Sequence, residues 1–275
     1  MADTILKTIA DYAKVRVEQA KTEVPLEEMK ARALEAPQKE KFGFEKALSK
    51  EDIGFICECK KASPSKGLIA KEFPYLEIAK SYEAAGAACI SVLTEPKWFL
   101  GENRYLREIT ESVNIPCIRK DFTVDEYMIY EARTLGASAV LLICSLLDTE
   151  MLKEYIGICD ELGLSALVEA HDEEEIHSAL EAGARIIGVN NRNLKDFTVD
   201  VHNSERLRRL VPENVLFVAE SGIKTAADIE VLRRANVNGV LIGETLMRAP
   251  DKKAMLDALR GIGGTFMGAQ RNLWQ

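Results

Sequence analysis

Histidine is scarce in this 275-residue chain: there are three, His171, His177 and His202, and no two are spaced as a ligand pair. A metal centre is therefore not expected. The six cysteines, Cys57, Cys59, Cys89, Cys117, Cys144 and Cys159, lack the C-x-x-C spacing of zinc and redox sites. Most sit in apolar runs, where a free thiol is a small buried hydrophobe in a reducing compartment. No run reaches the roughly 18 apolar residues a membrane helix needs. The opening MADTILKTIADYAK carries acids and lacks the apolar stretch of a signal peptide. Positive charge is in deficit, with 36 Lys and Arg against 44 Asp and Glu and a net charge of −8. That balance argues against a nucleic-acid partner, yet leaves room for a local basic pocket. These absences together lead us to expect a cytoplasmic protein that works on a small molecule without metal or cofactor.

What the chain does have is a repeat. Hydrophobic residues make up 47% of it, enough for a large core. Residues 1–50 read as an N-terminal helical extension: ILKTIADYAKVRVEQAK has helical spacing, and Pro25 opens a second helix, PLEEMKARALE. Its charge run reads as a solvated face. From residue 51 to 275, short β-branched runs alternate with amphipathic stretches. The runs fall near 55–59, 88–93, 116–120, 139–143, 165–169, 185–190, 215–220 and 239–242. Eight strand–helix units predict an α/β fold, the (β/α)8 TIM barrel, carrying the N-terminal helices as an extension of one structural domain. Gly86, Gly136, Gly163 and Gly183 each fall where a helix hands over to a strand, as a left-handed helix end requires. A doubly wound sheet would show G-x-G-x-x-G after its first strand, and that motif is absent.

Charged and amide residues recur at strand ends. Buried charges are costly, so recurrence at one end of successive strands points to a shared site. Side chains alternate along a strand, and parity sorts them. Ile56, Glu58 and Lys60 share a face, with Cys57 and Cys59 on the other; Ile118, Lys120 and Phe122 share one, as do Leu167 and Glu169, Ile186 and Asn190, and Val218 and Glu220. If these faces point inward, the polar residues ring the C-terminal mouth, where this fold keeps its active sites. A set of structural ion pairs is the plainer reading, but two lysines, three carboxylates and an amide exceed what barrel closure needs.

The loop KASPSKGL follows the first strand with Ser63, Ser65 and Gly67. Ser221 and Gly222 follow the seventh, and Gly243 and Glu244 follow the eighth and open a short helix, ETLMR. Small residues there suit a phosphate site built from backbone N–H groups. Trp98, Phe99, Phe122 and Leu194, each after a strand end, are placed to hold an aromatic ring, with Leu141 and Leu241 as apolar lining. His171, at a helix start, reads as a surface or capping residue.

The motifs ECKKASPSKG, SVLTEPKWFLG, IRKDF, LVEAH, GVNNRNL, AESGI and GVLIGETLMR, in this order, resemble the indole-3-glycerol phosphate synthase family, a carboxy-lyase of tryptophan biosynthesis. The likeness covers nearly the whole chain and suggests the form without a fused isomerase barrel. It implies ring closure of 1-(2-carboxyphenylamino)-1-deoxyribulose 5-phosphate, an anthranilate-derived sugar phosphate, to indole-3-glycerol phosphate with loss of carbon dioxide and water. It implies that Lys120 is the general acid, that Glu169 is the acid/base residue of dehydration, and that Lys60 contacts the substrate carboxylate and is a second candidate acid. Glu58, Asn190 and Glu220 support them, and Ser221 lies at the substrate end of its strand. Ser63, Gly222, Gly243 and Glu244 match phosphate-binding positions, and Arg192 and Leu194 match the pocket loop. It also implies that the N-terminal helices help close over substrate, so that deleting residues 1–40 raises KM more than it harms folding. An acidic lysine calls for a pKa lowered from about 10.4, which burial and a second lysine favour and carboxylates oppose. The expected state is a monomer, with a weak homodimer as the alternative. Three alternatives remain: a phosphoribosylanthranilate isomerase barrel, which would need an inward thiol; a Schiff-base aldolase; and a retired, non-catalytic phosphate-binding barrel.

Overall fold

The computed structural model describes residues 5–192 and 198–262. Eight parallel strands close into a barrel: β1 (Gly54–Cys59), β2 (Cys89–Leu93), β3 (Cys117–Lys120), β4 (Ala139–Ile143), β5 (Ser165–Ala170), β6 (Ile186–Asn190), β7 (Leu216–Glu220) and β8 (Gly239–Ile242). Each strand pairs with its sequence neighbours, and β8 closes on β1 with Gly54 opposite Gly239. The helices that alternate with them are α4 (Tyr75–Ala84), α5 (Asn103–Ser112), α6 (Glu126–Thr134), α7 (Thr149–Glu161), α8 (Glu173–Glu181), α9 (His202–Arg208) and α10 (Ala226–Arg234), with α11 (Glu244–Arg248) and α12 (Lys252–Arg260) after β8. Three helices precede the barrel: α1 (Ile5–Glu23), α2 (Leu26–Glu35) and α3 (Gly43–Leu48). The TIM-barrel expectation is met, including all eight strands.

The local chemistry explains the punctuation. Asp125, Asp148 and Asp172 cap α6, α7 and α8 through their side chains, and Thr225 with Asp228 forms a capping box on α10. The four joint glycines, Gly86, Gly136, Gly163 and Gly183, all adopt positive φ, between 66° and 87°. Two features were not read from the sequence. The loop after β1 folds into a small hairpin pairing Ala62–Ser63 with Gly67–Leu68. The α12 helix packs on α4, with Arg260 donating to Ala85 O and Gly86 O at 2.8 and 2.6 Å.

Parity holds inside the barrel. Ile56, Cys89, Ile118, Ala139, Leu167, Ile186 and Val218 form its lower core, while Cys57 and Cys59 face the helices. The N-terminal end is sealed by α3, whose Phe44 and Leu48 join that core. A Cβ on Gly54 would lie 2.8 Å from Leu48 Cδ2 and one on Gly239 3.1 Å, so glycine in both strands makes room for the plug.

The charge run of the N-terminal helices is not simply solvated, which corrects the sequence reading. Arg16 pairs bidentately with Asp121 at 2.8 and 3.1 Å, Lys21 with Asp125 at 2.8 Å and Lys30 with Glu126 at 3.3 Å. Arg133 returns to Ala36 O and Pro37 O. Ile9, Ala13, Val17, Met29 and Ala33 are buried on the same side. Apolar spacing shows that a helix has an inner face, but not that charges flanking that face find partners across the interface.

Candidate active site

A cavity of about 670 Å³ opens at the C-terminal ends of the strands. Glu58, Lys60, Lys120, Leu141, Glu169, Asn190, Glu220 and Leu241 line it from the barrel. Ser63, Phe99, Phe122, Arg192, Ser221, Gly222, Gly243 and Glu244 line it from the loops. These sixteen residues expected from sequence therefore converge; Leu194 lies outside the described residues, and Trp98 is not in the lining.

The centre is a charge cluster. Lys120 Nζ lies 3.1 Å from both Glu169 Oε2 and Glu220 Oε2. Asn190 Nδ2 donates to Glu169 Oε1 at 3.2 Å, and Asn190 Oδ1 accepts from the Arg192 backbone at 3.1 Å. Lys60 pairs with Glu58, and Glu58 also faces Ser91 Oγ at 3.5 Å. Glycine shapes the remaining space. A Cβ on Gly188 would meet Glu220 Oε1 at 2.3 Å, and one on Gly243 would meet Glu58 Oε2 at 2.2 Å and Lys60 Nζ at 2.8 Å.

These contacts divide the ionisable groups. Burial alone would favour the neutral amine of Lys120, but Glu220, Glu169 and Glu58 outweigh it and hold the ammonium above the ordinary lysine range. The lowering expected from sequence is thus not found: a lysine between two buried carboxylates is stabilised as the cation. Burial also opposes the charge of Glu169, yet Lys120, His171 and Asn190 keep it well below the usual carboxylate range. Glu220 goes the other way. Burial, reinforced by the charge of Glu169 and only partly offset by Lys120, lifts it to about 7. Its Oε1 is buried without a hydrogen-bond partner among the described residues. One lysine therefore stands between a carboxylate that stays charged and one that titrates near neutrality.

The mouth has two sides. On one, the loops after β1, β7 and β8 meet, with Ser63, Gly222 and Gly243 in the lining and Lys66 Nζ 3.7 Å from Glu244. Ser221 and Gly222 both have positive φ, 67° and 82°, so the chain bends sharply where β7 ends. On the other side, Phe99 and Phe122 stand 6.0 Å apart. Phe99 is aimed by Glu95, a fully buried carboxylate that accepts from the backbone N–H groups of Lys97, Trp98 and Phe99 at 3.0, 2.7 and 3.0 Å. Trp98 does not line the cavity as expected; its ring meets Tyr12 of α1 edge-on at 5.6 Å.

Ile5, Leu6 and Ile9 of α1 were missed, and they roof the cavity. The apolar spacing of the helix was visible in sequence, but not where it docks. Arg16 supplies the docking: Asp121, the residue after Lys120, accepts both its hydrogen bonds and one from Thr94 Oγ1 at 2.7 Å. His171 is also corrected. It is only partly exposed, gives its backbone N–H to Glu175 at the start of α8, and sets its ring between Glu169 and Glu175, at 3.4 and 3.0 Å.

The model of the family described as indole-3-glycerol phosphate synthase matches residues 6–259. An indole-3-glycerol phosphate synthase of Ruminiclostridium cellulolyticum is 60% identical over 257 residues, covering 94% of this chain and 99% of that protein. One from Endomicrobium trichonymphae is 58% identical over 245 residues, covering 89% and 95%. Among solved structures, KGPDC from Streptococcus mutans superposes with a TM-score of 0.60 at 11% identity, over 76% of this chain and 96% of that one, a likeness of fold alone. The motifs, the barrel and these relatives agree: the chain belongs to the indole-3-glycerol phosphate synthase family.

Proposed function

We propose that this protein closes the indole ring of indole-3-glycerol phosphate by lysine and glutamate acid–base catalysis. The observation that carries the reading is the convergence of Lys60, Lys120, Glu58, Glu169, Glu220 and Asn190 from five strand ends on one cavity between an aromatic wall and a cradle of small residues. The substrate has matching parts: an anthranilate ring and carboxylate, a ketose chain and a phosphate.

In the first step the ring carbon bearing the carboxylate attacks the ketose carbonyl, and Lys120 gives its proton to the carbonyl oxygen. Carbon dioxide then leaves, its bonding electrons restore aromaticity, and the new hydroxyl remains. In the second step that hydroxyl departs as water with a proton from Lys60, while Glu169 accepts the proton released as the pyrrole ring forms. Lys120 and Lys60 give two protons and Glu169 receives one, so each turnover takes one proton from solvent. That uptake matches the loss of a carboxylate charge as neutral carbon dioxide. Phe99, Phe122, Leu141 and Leu241 pack on the aromatic ring. Ser63, Gly222, Gly243 and Glu244 hold the phosphate, and Ser221 and Arg192 border the chain between them.

The raised pKa of Lys120 is compatible with this role. The substrate carboxylate competes for the lysines on binding, and developing negative charge on the carbonyl oxygen draws the proton across. The test is the appearance of indole fluorescence after adding 1-(2-carboxyphenylamino)-1-deoxyribulose 5-phosphate. Wild type should turn over, and Lys120→Ala and Glu169→Gln should each lose on the order of 10²-fold or more in kcat. Both should still bind product or a substrate analogue through the phosphate. Near-normal turnover in either variant would remove that residue from the mechanism. The Cys57 and Cys59 thiols face the helices, which supports this chemistry over a thiol-based isomerase.

A further inference from the structure

His171 lies just beyond the ring of strand-end residues and touches it. Its Nε2 is 3.4 Å from Glu169 Oε1, a charge contact without a hydrogen bond among the described residues, and its Nδ1 is hydrogen-bonded to Glu175 Oε2 on α8 at 3.0 Å. Glu175 is itself fixed, accepting the His171 backbone N–H at 2.7 Å and the hydroxyl of Ser145 from the loop after β4. Asn203 of α9 holds the His171 carbonyl at 3.2 Å. The imidazole is thus set between two carboxylates, one lining the cavity and one facing outward. A neutral imidazole has a single N–H and can serve only one of them; the other would face a lone pair. Only the imidazolium turns a protonated nitrogen toward both, through a hydrogen bond to Glu175 and a charge contact with Glu169.

We propose that His171 is a positioning residue for ring closure: as an imidazolium between Glu169 and Glu175, it holds the Glu169 carboxylate in place and charged, so that Glu169 meets the substrate as a base. This rests on the synthase reading above, and it leaves Lys60 to supply the acid of dehydration. Burial would discharge the ring, but Glu169 and Glu175 together raise its pKa to about 10. The other groups facing this pair are few. Ser145 and Cys144 approach from the loop after β4, and Asn203 from α9; Lys120 from β3, Asn190 from β6 and Glu220 from β7 face Glu169 from the cavity side.

The experiment measures kcat and KM against pH for wild type, His171→Asn and Glu175→Gln, with melting temperatures alongside and His177→Asn, on the exposed face of α8, as control. With the imidazolium gone, Glu169 gains a proton more readily. His171→Asn should therefore lower kcat about tenfold, leave KM within about twofold and move the acid limb of the profile up by roughly one pH unit. Glu175→Gln removes one of the two carboxylates that keep the ring charged, so its alkaline limb should begin at lower pH than in wild type. A lower kcat in His171→Asn with unmoved limbs means lost packing only and overturns the proposal, as does an unmoved alkaline limb in Glu175→Gln. Absence of turnover in wild type would sink the synthase reading itself. Turnover in wild type with unchanged profiles in both variants sinks this inference alone.

Discussion

Glu220 concentrates the tension of the site in one side chain. It is buried, shares Lys120 with Glu169 and keeps one oxygen without a hydrogen-bond partner among the described residues. A carboxylate whose folded pKa is raised binds protons the unfolded chain has already lost. Its cost to stability is therefore absent below the ordinary carboxylate value of 4.5 and fully present above about 7. Glu220→Gln should remove that dependence: we expect stability higher by about 2 kcal/mol at pH 8 and unchanged at low pH, with turnover reduced. Denaturant titrations at the two pH values check this, and an equal change at both would assign the effect to packing. Glu169 and Glu220 look alike in the sequence, each the last inward residue of a β-branched run. Parity placed both in the mouth, but which one Lys120, Asn190 and His171 would favour depends on distances across the barrel. The same limit explains His171. Its place two residues after Glu169 was legible, while its second partner, Glu175, comes from the next helix. The Lys120 pKa was misjudged for a related reason, since the sequence does not show both carboxylates reaching one ammonium.

At the scale of elements, the loop after β8 and the plug α3 act at opposite ends. Gly243 leaves room for Glu58 and Lys60, and both obstructing atoms are ends of flexible side chains. Gly243→Ala should then fold but displace that pair, with kcat down at least about tenfold and a melting temperature close to wild type. Unchanged kinetics would show that the pair is free to shift at no cost. Leu48→Ala should do the reverse. It empties the space between Gly54 and Gly239, for a loss of about 3 kcal/mol in stability with KM little altered, as denaturation and steady-state kinetics will read. The barrel itself was legible because eight β-branched runs and four helix-end glycines mark local, repeated events. The plug was not, and a cover over the mouth was expected only from the resemblance, without the residues that form it. Both belong to N-terminal helices whose partners lie far along the chain, as Glu45 does from Arg185 and Arg16 from Asp121.

For the whole molecule, we propose that the extension contributes to the stability of the barrel as well as to its cover. Removing residues 1–40 strips Arg16 from buried Asp121 and uncovers the surface beneath Val17, Met29 and Ala33. Loss of one partner of a buried ion pair costs about 3–5 kcal/mol. We therefore expect the truncated protein to melt well below the full chain as well as to show a raised KM; an unchanged melting temperature would make α1 and α2 a cover and nothing more. The exposed large apolar side chains, among them Val15, Leu34, Leu68, Val231 and Ile262, are spread over separate elements. On that ground we propose a monomer. Sedimentation velocity at micromolar concentration should give a single species near 30.6 kDa, and a dimer would call for an apolar face formed by these residues together. Among the described residues no helix is long and apolar enough to cross a membrane.

The seat of Leu48 also bears on how the chain is made. Its pocket lies between Gly54 at the start of β1 and Gly239 at the start of β8, strands separated by nearly the whole barrel in sequence. On the ribosome, α1 to α3 emerge ahead of the barrel, and α6 follows only after some eighty more residues. The extension is thus an early-made part with late-made partners. Its main helical partner, α6, comes later in the chain, and Leu48 gains its full pocket only when β8 arrives. A synthesis halted before residue 239 would leave Leu48 with only the Gly54 side of its pocket.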